Sequence, residues 1–118
     1  MTDTSDRDGD CADVALTVLD RLECENLPPE AVDAAFRLLA DRRRRLLIEV
    51  VRAHDEALTL PDVAEEVAQR ETGRSIVDLS PEQVKEVYIS LYHDHLPRLV
   101  DAGLLEYEQE RDLVAPGY

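Results

Sequence analysis

Apolar residues in this chain recur mostly at helical intervals. Ala15, Leu16, Val18, Leu19 and Leu22 form one stripe, and Val32, Ala35, Phe36 and Leu39 a second. Leu47, Ile48, Val50 and Val51 form a third, and Val63, Ala64, Val67 and Ala68 a fourth. Each predicts a helix with one side turned to a core. Start signals sit where the stripes need them: Asp41 can cap the third helix, and Thr59 with Asp62 the fourth, Pro61 being tolerated in its first turn. Asn26-Leu27-Pro28-Pro29 breaks the chain between the first two helices and marks the best boundary.

The longest periodic segment follows. Ser80, Pro81 and Gln83 combine a capping oxygen, a proline preset to helical φ and a glutamine able to reach back, and Gly103 supplies the left-handed residue that ends a helix cheaply. One helix is therefore expected from about Pro81 to Ala102. Stepping 100° per residue puts Val84, Tyr88, Leu91, Tyr92, His95, Leu96, Leu99 and Ala102 on its inner flank. Glu86, Ser90, His93, Asp94, Pro97 and Asp101 collect on the outer one. Beyond Gly103, Leu105 and Tyr107 alternate with Glu106 and Glu108, and Leu113 and Val114 can return as a second strand. The tip, Gln109 to Asp112, lacks Gly and Asn, which leaves its turn type open. Leu58-Thr59-Leu60 reads as a short strand or extended lead-in.

The run Tyr92-His93-Asp94-His95-Leu96-Pro97-Arg98-Leu99-Val100-Asp101-Ala102-Gly103-Leu104-Leu105 resembles the signature of ArsR- and MarR-type winged helix-turn-helix repressors, in which HL-x-x-L-x-x-AGL closes the recognition helix and opens the wing. Upstream, Leu38-Leu39-Ala40-Asp41-Arg42-Arg43-Arg44-Arg45 resembles the LAD-x-x-R entry of the same families. The resemblance spans roughly Glu30 to Val114 and is similar to small winged-helix domains found in halophilic archaea. It implies a mainly α fold with a small β-wing: a winged helix-turn-helix with a three-helix core, an N-terminal helix and a two-stranded wing. Glu71 to Leu79 departs from that pattern, being longer than a three- or four-residue turn.

Charge changes the picture. Among 118 residues, 27 carboxylates face 13 lysines and arginines, a formal net charge of −14, and Lys85 is the only lysine. Such self-repulsion opposes compaction in dilute salt, and molar salt, with a Debye length of ~3 Å, largely removes it. An acidic, arginine-preferring composition thus fits a salt-rich cytoplasm. The charge is also uneven: residues 1–30 carry nine carboxylates and two arginines, a net −7, whereas residues 37–45 carry five arginines and one aspartate, a net +4. Four consecutive arginines, Arg42 to Arg45, cannot share one helix face. They can pair with the protein's own carboxylates or fork onto phosphates.

Length and a 44% hydrophobic content suit one small domain with a tail. The expected organisation is an acidic disordered tail over 1–11, an appended helix and Pro-Pro linker over 12–29, the winged helix-turn-helix over 30–115 and a frayed end over 116–118. No run is long enough to span a membrane, and the acidic start lacks the pattern of a secretory signal, so the expected location is cytoplasmic. Cys11 and Cys24 are too few for a disulfide framework.

Enzyme chemistry finds no foothold. There is no glycine-rich phosphate loop, and His93 and His95, two apart on a helix, point about 200° apart and cannot chelate one ion. No catalytic residue, metal, cofactor or small-molecule ligand is expected. His95 belongs to the inner flank as a hydrogen-bonded core histidine. The resemblance implies a DNA-binding transcriptional regulator, with Ser90 and His93 approaching bases and Lys85, Arg98 and Arg111 touching phosphates. The alternative is a winged-helix module for protein interaction or dimerisation, in which the N-terminal helix or the Tyr88 and Tyr92 region meets a second copy or another subunit.

Overall fold

The computed structural model describes residues 12–21 and 26–117. The expected tail over 1–11 and both cysteines lie outside them. The chain is mainly helical with a small three-stranded antiparallel sheet, and it divides into two compact units, Met1–Phe36 and Arg37–Tyr118.

In the first unit residues 12–21 are helical (α1), with the Thr17 hydroxyl donating to the Asp13 carbonyl at 2.8 Å. The break falls at Asn26, whose φ is +56°, and the carbonyl of Pro28 starts the next helix by accepting from Ala31 N–H at 3.1 Å. That helix, α2 (Pro29–Leu39), begins in this unit and runs past its boundary. Its stripe is present, yet no residue of α2 is buried.

The second unit holds the core. In α3 (Arg42–Ala53), Asp41 is the N-cap and its side chain accepts from Arg44 N–H, so that Leu46, Leu47, Val50 and Val51 face inward. The short strand β1 (Leu58–Thr59) leads into α4 (Leu60–Thr72), capped by the Thr59 hydroxyl and ended by Gly73 at φ +72°. Val63, Ala64, Val67 and Ala68 are all buried, and the small alanines let the next helix come close. The long connection forms a 3-10 turn, Ile76–Asp78, before Ser80 opens α5 (Pro81–Ser90) with a complete capping box.

The expected single α-helix from Pro81 to Ala102 is helical throughout but not uniform. Between α5 and α6 (Leu96–Asp101) lies a π-helical turn, Leu91–His95, in which Leu96 N–H bonds to the Leu91 carbonyl five residues back. The reason is Pro97. A proline inside a helix has no N–H to donate and its ring crowds the carbonyl four residues earlier, and one wider turn accommodates both defects without breaking the rod. The flanks keep their expected sides: Leu91, His95, Leu96 and Leu99 are buried, whereas Glu86, His93, Asp94, Pro97 and Asp101 are exposed. Ala102, expected inside, is exposed, and Val87 is buried in its stead.

The rod ends in a Schellman motif. Gly103, at φ +79°, donates to the Val100 carbonyl, and Leu104 N–H donates to the Leu99 carbonyl, both at 3.0 Å. Then β2 (Leu105–Glu108) and β3 (Leu113–Pro116) form a hairpin. Leu105 and Val114 close the core between its strands and the helices.

Two sequence expectations need correction here. The sheet is not two-stranded: β1 pairs with β3, Leu58 opposite Val114, giving the order β1-β3-β2. The short strand expected around Leu58-Thr59-Leu60 forms over Leu58–Thr59, but two residues carry too little pattern to say which edge they join. Nor is the C-terminus frayed from residue 116: Pro116 pairs with Leu105, and Gly117 N–H donates to the Leu104 carbonyl at 3.0 Å. A Cβ on Gly117 would lie 2.5 Å from the Gly103 carbonyl oxygen, so glycine is what lets the chain end lie against the rod's terminus.

Candidate nucleic-acid interface

Four of the five candidate residues lie along the rod and the fifth, Arg111, in the turn of the adjoining hairpin. Lys85 is exposed on α5, beside a groove of about 450 Å³ bounded by Pro61, Ala64, Ile76, Leu79, Val84 and Tyr88, with Glu65 on its rim. Ser90 closes α5 and is half-buried. His93 is exposed in the π-helical turn, its ring meeting Tyr92 edge-on with centroids 5.0 Å apart. A second groove of about 450 Å³ joins His93 and Pro97 on the rod to Tyr107 and Gln109 on the hairpin. His93 therefore meets the hairpin at one groove, and Lys85 belongs to the other.

The two arginines are each held by a carboxylate of their own segment. Arg98 Nε donates to Asp94 Oδ1 at 2.8 Å, one helical turn away, and Arg111 Nε lies 3.3 Å from Glu108 Oε1. The Arg98 hydrogen bond is the main reason the Asp94 carboxyl sits below its ordinary range. Both arginines remain well exposed, at 59% and 75% of their side-chain surface, so these pairs are weak and exchangeable.

What fixes the hairpin against the rod was not foreseen from the sequence. Asp112, at the hairpin tip, has φ +56° and supplies the left-handed residue that no glycine or asparagine provides. Its carboxylate accepts from the hydroxyl of Tyr88 on α5 at 3.1 Å and from that of Tyr107 on β2 at 2.5 Å. Its carbonyl accepts from Leu60 N–H, the first residue of α4, at 2.8 Å. Tyr92 stacks parallel to Tyr88 and meets Tyr107 edge-on, with centroids 6.3 and 6.2 Å apart. Burial, then the Asp112 hydrogen bond, raises both phenols above their ordinary range, so they stay protonated donors. The Tyr107 alternation and the tip aspartate were visible in the sequence; their meeting was not.

The arginine run is largely committed to architecture. Arg43 forks onto both oxygens of Glu71 at the end of α4 and reaches Glu86 on α5 at 3.4 Å, and the Glu71 bond raises its already high pKa. Arg44 donates to the Leu38 carbonyl at 3.1 Å and to His95 Nδ1 at 3.2 Å, and Arg45 to the Leu39 carbonyl at 2.6 Å. Two of the four thus cap the open carbonyls at the end of α2, where cations also meet the negative end of the helix dipole. His95, 5% exposed, is the expected core histidine; burial lowers its pKa, the attraction of Asp41 and Asp94 notwithstanding. In Asp41, burial opposes ionisation, but the N–H groups of Arg44 and Arg43 and nearby His95 keep its pKa lowered.

Among the described residues no group of three or more His, Cys, Asp or Glu could hold a metal ion, and no helix is long and apolar enough to cross a membrane. A family model described as a domain of unknown function, DUF7344, matches residues 36–115. No curated protein and no solved structure matches the chain significantly.

Proposed function

The chain belongs to the DUF7344 family, and for it we propose a winged helix-turn-helix domain that binds DNA as a transcriptional regulator, with no enzymatic activity. The observation that carries this reading is the element order. Helix α3, strand β1, helix α4, the rod and the β2–β3 hairpin follow one another in the sequence of a winged helix, and β1 pairs with the returning strand of the hairpin. A rod with one flank buried and the other bare, beside a hairpin held to it by Asp112, is what insertion of a helix into a major groove requires. Ser90 and His93 are the residues that approach bases, and Lys85, Arg98 and Arg111 those that touch phosphates.

The acidity of the flank sets the terms of binding. Glu86, Asp94 and Asp101 face the same way as His93, and Arg98 can reach a phosphate only by leaving Asp94. Contact then exchanges a carboxylate for a phosphate, and fewer counterions are released than the number of contacts suggests. Binding of this kind depends weakly on salt and suits a salt-rich cytoplasm.

Fluorescence anisotropy with duplex DNA across a range of KCl concentrations tests the reading. Binding should persist into high salt with a shallow slope, and Arg98→Ala and Arg111→Ala should each flatten that slope by up to about one unit. Asp94→Asn should tighten binding in the parent protein but much less in the Arg98→Ala background, because its carboxylate acts by holding that guanidinium. If no duplex binds at any salt concentration, the regulator reading fails and the protein-interaction alternative takes its place.

A further inference from the structure

We infer that His95 is a proton-operated control on Arg98: beside the neutral ring Asp94 holds the guanidinium, and a proton on the ring draws Asp94 inward and releases Arg98 toward phosphate. The inference rests on the DNA-binding reading and adds a means of regulating it. All of its parts lie within the second compact unit.

The geometry defines the resting state. Arg44 Nε donates to His95 Nδ1 at 3.2 Å, and because a guanidinium only donates, Nδ1 must present a lone pair and the ring is neutral. Nε2 then carries the ring proton and lies 4.0 Å from Asp41 Oδ1. Asp94 divides its two oxygens: Oδ1 accepts from Arg98 Nε at 2.8 Å, and Oδ2 lies 3.8 Å from His95 Nδ1, just beyond hydrogen-bond reach. His95 is buried, whereas the side chains of Asp94 and Arg98 are at least half exposed. One carboxylate therefore joins a buried titratable ring to an exposed cation.

Four charged side chains face the ring: Asp41, Arg43 and Arg44 from α3, and Asp94 from its own turn. Arg43 is itself engaged by Glu71 of α4 and Glu86 of α5. Burial is the largest influence and the two arginines reinforce it against the proton, while the two carboxylates favour it. Once Nδ1 is protonated it and Arg44 Nε are two donors face to face, so their bond breaks. Arg44 keeps the Leu38 carbonyl that it already meets at 3.1 Å. Asp94 Oδ2 is the charged acceptor beside the new N–H, and a small turn of the carboxylate closes that bond. A carboxylate shared between an imidazolium and a guanidinium holds each less firmly, and the exposed partner leaves at the lower cost. His95 is too deep to touch DNA and acts only through Asp94. Affinity for DNA then rises as pH falls through the range in which the ring charges, and bound DNA in turn favours the proton by the same factor.

Two measurements at one KCl concentration test the inference, both in a His93→Gln background so that only one imidazole of the rod is read. The first is a proton NMR titration of His95 in the free chain. Arg98→Ala should make protonation of the ring about threefold more favourable, and should have no such effect once Asp94→Asn is added. The second is duplex anisotropy from about pH 7.5 to about pH 5.5, over which binding should tighten about threefold, and by less in Asp94→Asn. A ring titration indifferent to Arg98→Ala, a shift that survives Asp94→Asn, or a pH response of binding that is equal with and without the Asp94 carboxylate overturns the switch and leaves DNA binding standing. Coupling in the free chain with no duplex bound at any pH overturns the regulator reading, and with it the role given to the released arginine.

Discussion

Asp112 is the side chain on which three elements converge, and its replacement separates two effects. Asp112→Ala removes the acceptor for Tyr88 and Tyr107 and places a residue with a Cβ and no local hydrogen bond in the left-handed region, which should cost about 3 kcal/mol in urea unfolding. Asp112→Asn tolerates the backbone and keeps one acceptor oxygen, so it should cost roughly half as much. Equal losses would show that the carboxylate alone matters and the backbone conformation does not. His95 makes a different prediction. Its folded pKa lies below the ordinary 6.5, so above that pH the ring is neutral in both states and its contribution is intact. As pH falls, the unfolded chain takes up a proton that the buried ring resists, and stability is lost. Between about pH 7 and pH 5 the native protein should lose more stability than His95→Asn, as measured by denaturant midpoints at each pH. Parallel pH profiles would remove His95 from the acid response.

At the scale of elements, the rod shows how one residue is absorbed by the structure around it. Pro97 alone argues for a break, yet Leu91, Leu96 and Leu99 are all buried in the core, and their burial, about 2 kcal/mol apiece, holds the helix together across a π-helical turn. The rod's end makes a paired prediction. Gly103→Ala meets open space and should cost about 1 kcal/mol through its positive φ alone. Gly117→Ala has no such φ but collides with the Gly103 carbonyl, and should cost about 1–3 kcal/mol by displacing β3 from the rod. Because the two glycines touch, the double variant should destabilise by less than the two losses added, as thermal or urea unfolding would report.

For the whole molecule the governing quantity is the charge of −14. The ion pairs on its surface, Arg70 with Glu66 and Arg98 with Asp94 among them, are too exposed to offset that much repulsion. Unfolding midpoints should therefore climb steeply as KCl rises from millimolar values and level off near molar concentrations, where the Debye length is ~3 Å. A flat dependence would mean that the folded chain already compensates its charge internally.

Local signals in the sequence determined the helices and their limits. Asp41, Thr59, Ser80 and Gly103 cap or end elements where expected, since capping depends on atoms within a few residues. The flanks of the rod were equally legible, because periodicity records burial directly. Contacts between segments distant in sequence were decided only by the tertiary structure: β1 on β3, Asp112 between two tyrosines, Arg43 on Glu71, and Arg44 on His95. For the candidate interface this meant that Arg98 could be matched to Asp94 by spacing alone, whereas the groove shared by His93 and Gln109 could not be anticipated. A two-residue strand and a polar side chain carry no periodicity of their own, and their partners are chosen by the packing of everything else.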